Sequence, residues 1–275
     1  MRSFTRTFPV IVFSFFLSGC QFVEDFATRV AKDSYYDLEA YRFDARKVAL
    51  AQRNLFWARL LSSDNHWVLL ADSQAELVTG YRYGDRLRAN AYEEAYLARA
   101  RAHALTARER WPEDSMVMAH WARFQIIQGD LSEAWETLNQ AHTLDRENFY
   151  PWYYLSVVNL RMRYPEMAQQ LLGRAEQHSS MHHQRVMVAH RMAHVARALE
   201  DLAAEEAAYL RVIELDPDAP QAYGNYANFL RNQGRYAEAL EYYERAIAIR
   251  PYPLAVRGLE RVRRKAADSA DGERR

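Results

Sequence analysis

Five of the nine histidines fall between residues 178 and 194: His178, His182, His183, His190 and His194. His190 and His194 are spaced i, i+4, so a helix places both on one face, as two-histidine metal sites require. The intervening string is Arg191-Met192-Ala193, so the general-base glutamate of H-E-x-x-H zinc hydrolases is missing. The expected role is a polar helix face whose protonation near pH 6.5 could tune binding, with no metal ligands and no cofactor. No G-x-x-x-x-G-K-[ST], G-x-G-x-x-G or G-x-S-x-G string occurs, so the common phosphate cradles and the serine nucleophile elbow are absent. No catalytic residues are assigned, and a non-enzymatic protein is expected. A second set suits recognition instead: Arg123, Tyr150, Tyr153, Arg161, His190, His194, Arg197, Asn228 and Arg231. It holds aromatic, cationic and neutral polar side chains and no acid. Arginine forks fit carboxylates bidentately, and asparagine can hydrogen-bond a peptide backbone.

The elements that would align these residues recur at a fixed period. Residues 220–251 read as two helices broken at Gly234, with Tyr223, Tyr226, Ala227 and Leu230 in the first and Ala239 and Tyr243 in the second, ending at Pro251. Stepping 34 residues toward the N-terminus gives Ala189, Met192, Ala193, Ala196, Tyr209 and Pro217. Here Glu205 and Val212 stand where small residues are expected. With three extra residues around His178–Met181, the next unit is Trp152, Leu155, Ser156, Ala168, Leu172 and Ala175. Another 34 residues gives Met118, Trp121, Ala122, Gly129, Ala134, Leu138 and Ala141. Small residues recur where paired helices would cross, and large ones fill the gaps.

This pattern resembles the tetratricopeptide repeat (TPR). The resemblance implies an all-α solenoid of antiparallel helix pairs: four TPR-like repeats over 115–251, a capping helix over 253–266 and a disordered tail over 267–275. It also implies that the first helix of each pair lines a concave groove, which would collect the nine recognition residues. The expected occupant is an acidic or C-terminal segment of a periplasmic or outer-membrane protein.

Upstream, 34–112 reads as a degenerate TPR-like helical region. One long helix is expected from Leu38 to Leu61, then a cap at Asn65 for a helix carrying Trp67, Leu70 and Leu77. A loop is expected over 80–85 and an Ala-rich helix over 90–110, stopped by Trp111-Pro112. Tyr81-x-Tyr83 and the run Glu94–Ala102 are similar to TPR lipoproteins associated with TRAP-type transporters. That likeness implies an alternative role, as an accessory pairing with a periplasmic substrate-binding protein.

The first nineteen residues supply an address. Arg2 and Arg6 precede the short apolar run Phe8–Leu17, too short for a permanent span and typical of an export signal. Leu17-Ser18-Gly19-Cys20 resembles the lipobox of bacterial lipoproteins. That implies cleavage before Cys20, lipidation of its thiol with diacylglycerol, acylation (palmitate) and a tether over 20–33. Gln21, in place of an Asp, implies the outer membrane, facing the periplasm. Cys20 is the only cysteine, so neither an intrachain disulfide nor a multi-cysteine metal site can form. Lys+Arg and Asp+Glu are both 36, which argues against nucleic-acid binding through bulk charge.

Overall fold

The computed structural model describes residues 20–40, 45–82 and 84–272, with side chains described for all but 20, 21, 45 and 266–272. The expected leader over 1–19 lies outside the described residues, as does Tyr83. Among the described residues there are thirteen α-helices and no strand, so the chain is all-α. It divides at Trp111/Pro112 into two compact units.

The first unit holds α1 (Cys20–Glu39), α2 (Ala45–Leu61), α3 (His66–Thr79) and α4 (Glu94–Arg110). Two expectations need correction. The span taken as a tether over 20–33 is helical, and the single helix expected from Leu38 to Leu61 is two. The physical reason is that each half carries its own buried stripe. Ala27, Ala31, Tyr35 and Leu38 on α1, and Ala51, Leu55 and Ala58 on α2, are fully buried. Doubling back lets α1 and α2 pack together and against α3, whereas one straight rod would leave the stripes in water. Asn65 caps α3 as expected, accepting from the Trp67 amide at 2.9 Å, while its own amide group donates to Thr28 Oγ1 at 2.6 Å. Trp67, Leu70 and Leu77 are buried. The loop after α3 is closed by a Tyr81–Tyr92 bridge and by Tyr81 Oη donating to the Gly84 carbonyl at 2.9 Å. Because Tyr92 is extended, α4 begins at Glu94 rather than Asn90.

The second unit is four helix hairpins and a final helix. The pairs are α5 (Ser115–Gln128) with α6 (Leu131–Leu144), α7 (Phe149–Arg161) with α8 (Pro165–Gln177), α9 (His182–Ala198) with α10 (Leu202–Leu215), and α11 (Pro220–Asn232) with α12 (Tyr236–Ile249). The last, α13 (Pro253–Gly272), packs on both α11 and α12. It continues past Ala266, where a frayed tail was expected. Successive first helices α5, α7 and α9 also touch, as in a solenoid.

The period is visible in the burial. Ala122, Ser156, Ala193 and Ala227 occupy the same place in the four first helices, and all are fully buried. Ala141, Ala175, Val212 and Ala246 do the same in the second helices. The extra residues between the second and third hairpins do not enlarge the loop around His178–Met181. They lengthen α9, which has 17 residues against 13 in α7 and α11. An insertion of about one helical turn leaves the buried face in register.

Each hairpin turn contains one residue with positive φ: Gly129 (97°), Arg163 (69°), Glu200 (59°) and Gly234 (77°). The turn geometry is therefore common to all four repeats, but glycine occupies it in only two. A side chain in the left-handed region costs about 1–2 kcal/mol. Arg163→Gly and Glu200→Gly should each raise unfolding stability by about 0.5–1 kcal/mol, read as a higher urea midpoint. A lower midpoint would show that the Arg163 or Glu200 side chain does more than occupy the turn.

Candidate protein-binding site

The fold distributes the nine recognition residues unevenly. Arg123 on α5 and Tyr150 and Tyr153 on α7 are buried, at 4%, 2% and 6% exposure. Tyr153 stacks on Phe149 at 5.6 Å and lies under the Arg191 guanidinium at 5.8 Å. Tyr150 Oη is 3.4 Å from His183 Nε2. Arg161 donates to the Ile126 carbonyl at 2.8 Å, adding to the 3.3 Å bond that this carbonyl in the last turn of α5 accepts from the Gly129 amide. Arg197 donates to Glu205 Oε1 through Nε and Nη2, at 2.8 and 2.5 Å, and through Nη2 to Tyr209 Oη at 2.7 Å. These five residues pack or brace the repeats. On α9, His190 is half-buried and His194 exposed. Asn228 and Arg231 meet at one opening.

The histidine run is dispersed in space. His178 stacks flat on Trp152 and places Nδ1 3.1 Å from Glu147 Oε2, while His183 faces Tyr150. Among the described residues, no three of His, Cys, Asp and Glu gather as a metal site.

Asn228 and Arg231 line an open cleft of about 450 Å³ between α11 and α13, together with Leu254, Arg257, Gly258 and Arg261. A second opening of about 370 Å³ shares Arg231 and Arg261 and adds Asn232, Tyr236, Val262 and Lys265. No acidic residue lines either one. Gly258 makes the close packing possible, because a Cβ there would collide with the buried Tyr243 ring. Tyr243 Oη in turn donates to Asn228 Oδ1 at 2.7 Å, which turns the amide NH2 away from the tyrosine. Burial pushes the Tyr243 hydroxyl pKa up, while the positive charges of Arg231 and Arg261 pull it back.

Other arginines of this unit already have carboxylate partners. Arg235 holds Glu206 at 2.7 Å and Glu238 at 2.6 Å, Arg263 holds Glu244 at 2.8 Å, and Arg211 holds Glu176 at 3.3 Å. Among the described residues, Arg231, Arg257 and Arg261 form no such pair. Arg257 and Arg261 escape a reading of the chain that treats the last helix as a cap. The signal for them is their i, i+4 spacing, which puts both on one face.

Comparison with known proteins supports this architecture. Residues 208–241 and 188–219 match two tetratricopeptide repeat family models. These residues carry TPR repeats. The structure is similar to that of the APC/C hetero-tetramer Cut9-Hcn1, with a TM-score of 0.62 at 14% identity. That likeness covers 87% of this chain and 46% of the other, so this chain spans about half that length. It is also similar to a tetratricopeptide repeat protein from Parabacteroides merdae, with a TM-score of 0.51 at 14% identity, covering 86% and 88% of the two chains. At these identities the likeness is one of fold. No curated protein matches the chain in sequence. The TPR fold is a protein-interaction fold, and the α11–α13 cleft gathers three arginines without a carboxylate partner among the described residues.

The departure at Glu205 has a physical account. Its carboxylate is buried within the TPR hairpin and neutralised by Arg197. Arg197→Met should leave that carboxylate unpaired and lower stability by about 2–4 kcal/mol, the lower end reflecting the half-exposed arginine. Adding Glu205→Ala should restore most of the loss, which a two-variant urea series would read.

His120 on α5 titrates against the fold. Burial, aided by the Arg123 charge, holds its pKa well below 6.5. His142 shifts the same way through burial, Arg146 and His178. A histidine kept neutral in the folded state contributes its full stability above about pH 6.5, where the unfolded chain is neutral too. It loses stability as pH falls toward the folded pKa, because the unfolded chain binds the proton first. Stability should therefore drop by about 1 kcal/mol or more between pH 7.5 and 5.5, and His120→Gln should flatten that slope. An unchanged slope in His120→Gln would assign the titration elsewhere.

Proposed function

We propose that this protein is a non-enzymatic TPR adaptor of the bacterial envelope that docks an acidic or C-terminal segment of a periplasmic or outer-membrane protein. The observation that carries the reading is the acid-free cleft between α11 and α13, where Arg231, Arg257 and Arg261 face solvent around Asn228. Arginines can fork onto side-chain or terminal carboxylates, and the asparagine amide can donate to a backbone carbonyl. The anchoring half of the proposal is supported by sequence: a basic and apolar leader, then Leu-Ser-Gly-Cys with the lone cysteine at position 20. Lipidation of Cys20, with Gln21 behind it, would hold the protein on the periplasmic face of the outer membrane. Two or more acyl chains suffice for a stable hold. The transport-accessory reading calls for an enclosed, ligand-sized cavity, and both clefts found here are open.

A direct test uses a labelled Glu-rich peptide with a free C-terminus, its amidated form and a Lys-for-Glu form, followed by fluorescence anisotropy. The acidic free-acid peptide should bind best. Arg257→Glu/Arg261→Glu should weaken it by about tenfold or more, with the helical spectrum unchanged because both side chains are exposed. Equal binding of all three peptides, or no loss in the double variant, would remove the cleft from the proposal. Radiolabelled palmitate should enter the wild-type protein and not Cys20→Ser, which checks the anchor independently.

A further inference from the structure

The face of α2 turned away from α1 and α3 carries large apolar side chains in water. Leu60 is 68% exposed, Phe56 and Trp57 are about half exposed, and Leu50 is comparable. At 100° per residue, Leu50, Arg53, Phe56, Trp57 and Leu60 fall on one side, opposite the buried Ala51, Leu55 and Ala58. The helix contains Arg46, Lys47, Arg53 and Arg59 and no acidic residue. Arg59 is held by Asp72 of α3, which fixes α2 with its apolar side outward. Aromatic and leucine side chains interleaved with cations that can snorkel are the composition of a helix lying in a lipid interface.

The neighbouring helix points to the same occupant. α1 and α2 pack against each other across a short connection, so they run antiparallel. The C-terminal end of α2, with Phe56, Trp57 and Leu60, therefore lies level with the start of α1. There Phe22 is 69% exposed, and Val23 and Phe26 are also exposed. The acids at this end are Glu24 and Asp25 on α1 and Asp64 just after α2, the last of which is paired with Arg110. This is also the end where Cys20 sits. Among the described residues no helix is long and apolar enough to cross a membrane, so contact here would be peripheral.

We infer that the outer face of α2 is a membrane-contact surface that lies on an anionic lipid headgroup layer and seats the first unit beside the anchor. The choice of lipid over protein rests in part on reading Cys20 as the lipidation site. The thirteen helices of the described residues lie within residues 20–272, so the mature chain from residue 20, carrying Cys20→Ser to remove lipid attachment, isolates the face itself.

The test is vesicle flotation with phosphatidylethanolamine/phosphatidylglycerol against pure phosphatidylcholine. The protein should float with the anionic vesicles and less with the neutral ones, and binding should weaken in added salt. Phe56→Ser/Trp57→Ser/Leu60→Ser should lower partitioning by about tenfold or more; the substituted side chains are exposed, so the helical spectrum should hold. Absence of flotation, or flotation indifferent to the triple change, would overturn the inference. So would a lipid-free dimer that the same triple change dissolves, because the face would then belong to a second copy of the chain. Failure of palmitate labelling at Cys20 alongside normal flotation would sink the anchor reading and leave this surface standing.

Discussion

Close approach of paired helices is the constraint on which the second unit depends. Two helices can pack tightly only where the residues at their crossing are small. Here the crossing positions are Ala122, Ser156, Ala193 and Ala227 on one side and Ala134, Ala168 and Ala239 on the other, all fully buried. The third hairpin breaks the rule with Glu205. It is tolerated because Arg197 reaches over from the paired helix and Tyr209 joins them. With Glu205 buried and Arg197 half exposed, the pair adds little net stability, but removal of either partner is costly. The pair fixes the geometry of α9 against α10 where an alanine would have left it to shape alone.

The same constraint explains where the molecule can afford function. Arginines that brace repeats, such as Arg161 and Arg197, have their donors committed inside the array. Those that line the α11–α13 cleft do not. The difference follows from position. Interior repeats have a repeat on each side to supply carbonyls and carboxylates, while the terminal repeat has one only on its α10 side and meets α13 on the other, which brings further arginines. Charge therefore accumulates unpaired at the end of the array, although the chain as a whole carries equal numbers of basic and acidic residues.

The repeats were legible because a 34-residue spacing of small and aromatic residues is a long-range regularity that no local accident imitates. Gly234 and Gly129 marked two turns. The other two were hidden, since Arg163 and Glu200 hold the same left-handed conformation without the residue type that announces it. In the string from Leu38 to Leu61 only Asp44, a residue type that often caps helix starts, hints at two helices, and the separate buried stripes of α1 and α2 show only once the two helices pack. The candidate site was only half legible. Asn228 and Arg231 could be placed on an inner face by periodicity, but burial of Arg123, Tyr150 and Tyr153 depends on tertiary packing, and Arg257 and Arg261 lie on a helix outside the repeat pattern.

A linear array of helices has loose ends, since each hairpin is held only by its neighbours and opening starts where a neighbour is missing. The α11–α13 cleft straddles such an end, with one lip on the last repeat and the other on the helix that covers it. A segment bound there would act as a clasp, joining the two pieces most prone to separate. Occupancy would then be felt as resistance to unzipping from the C-terminal side, transmitted through Tyr243 and Gly258 into the last hairpin. In that sense the partner would complete the array as its missing neighbour.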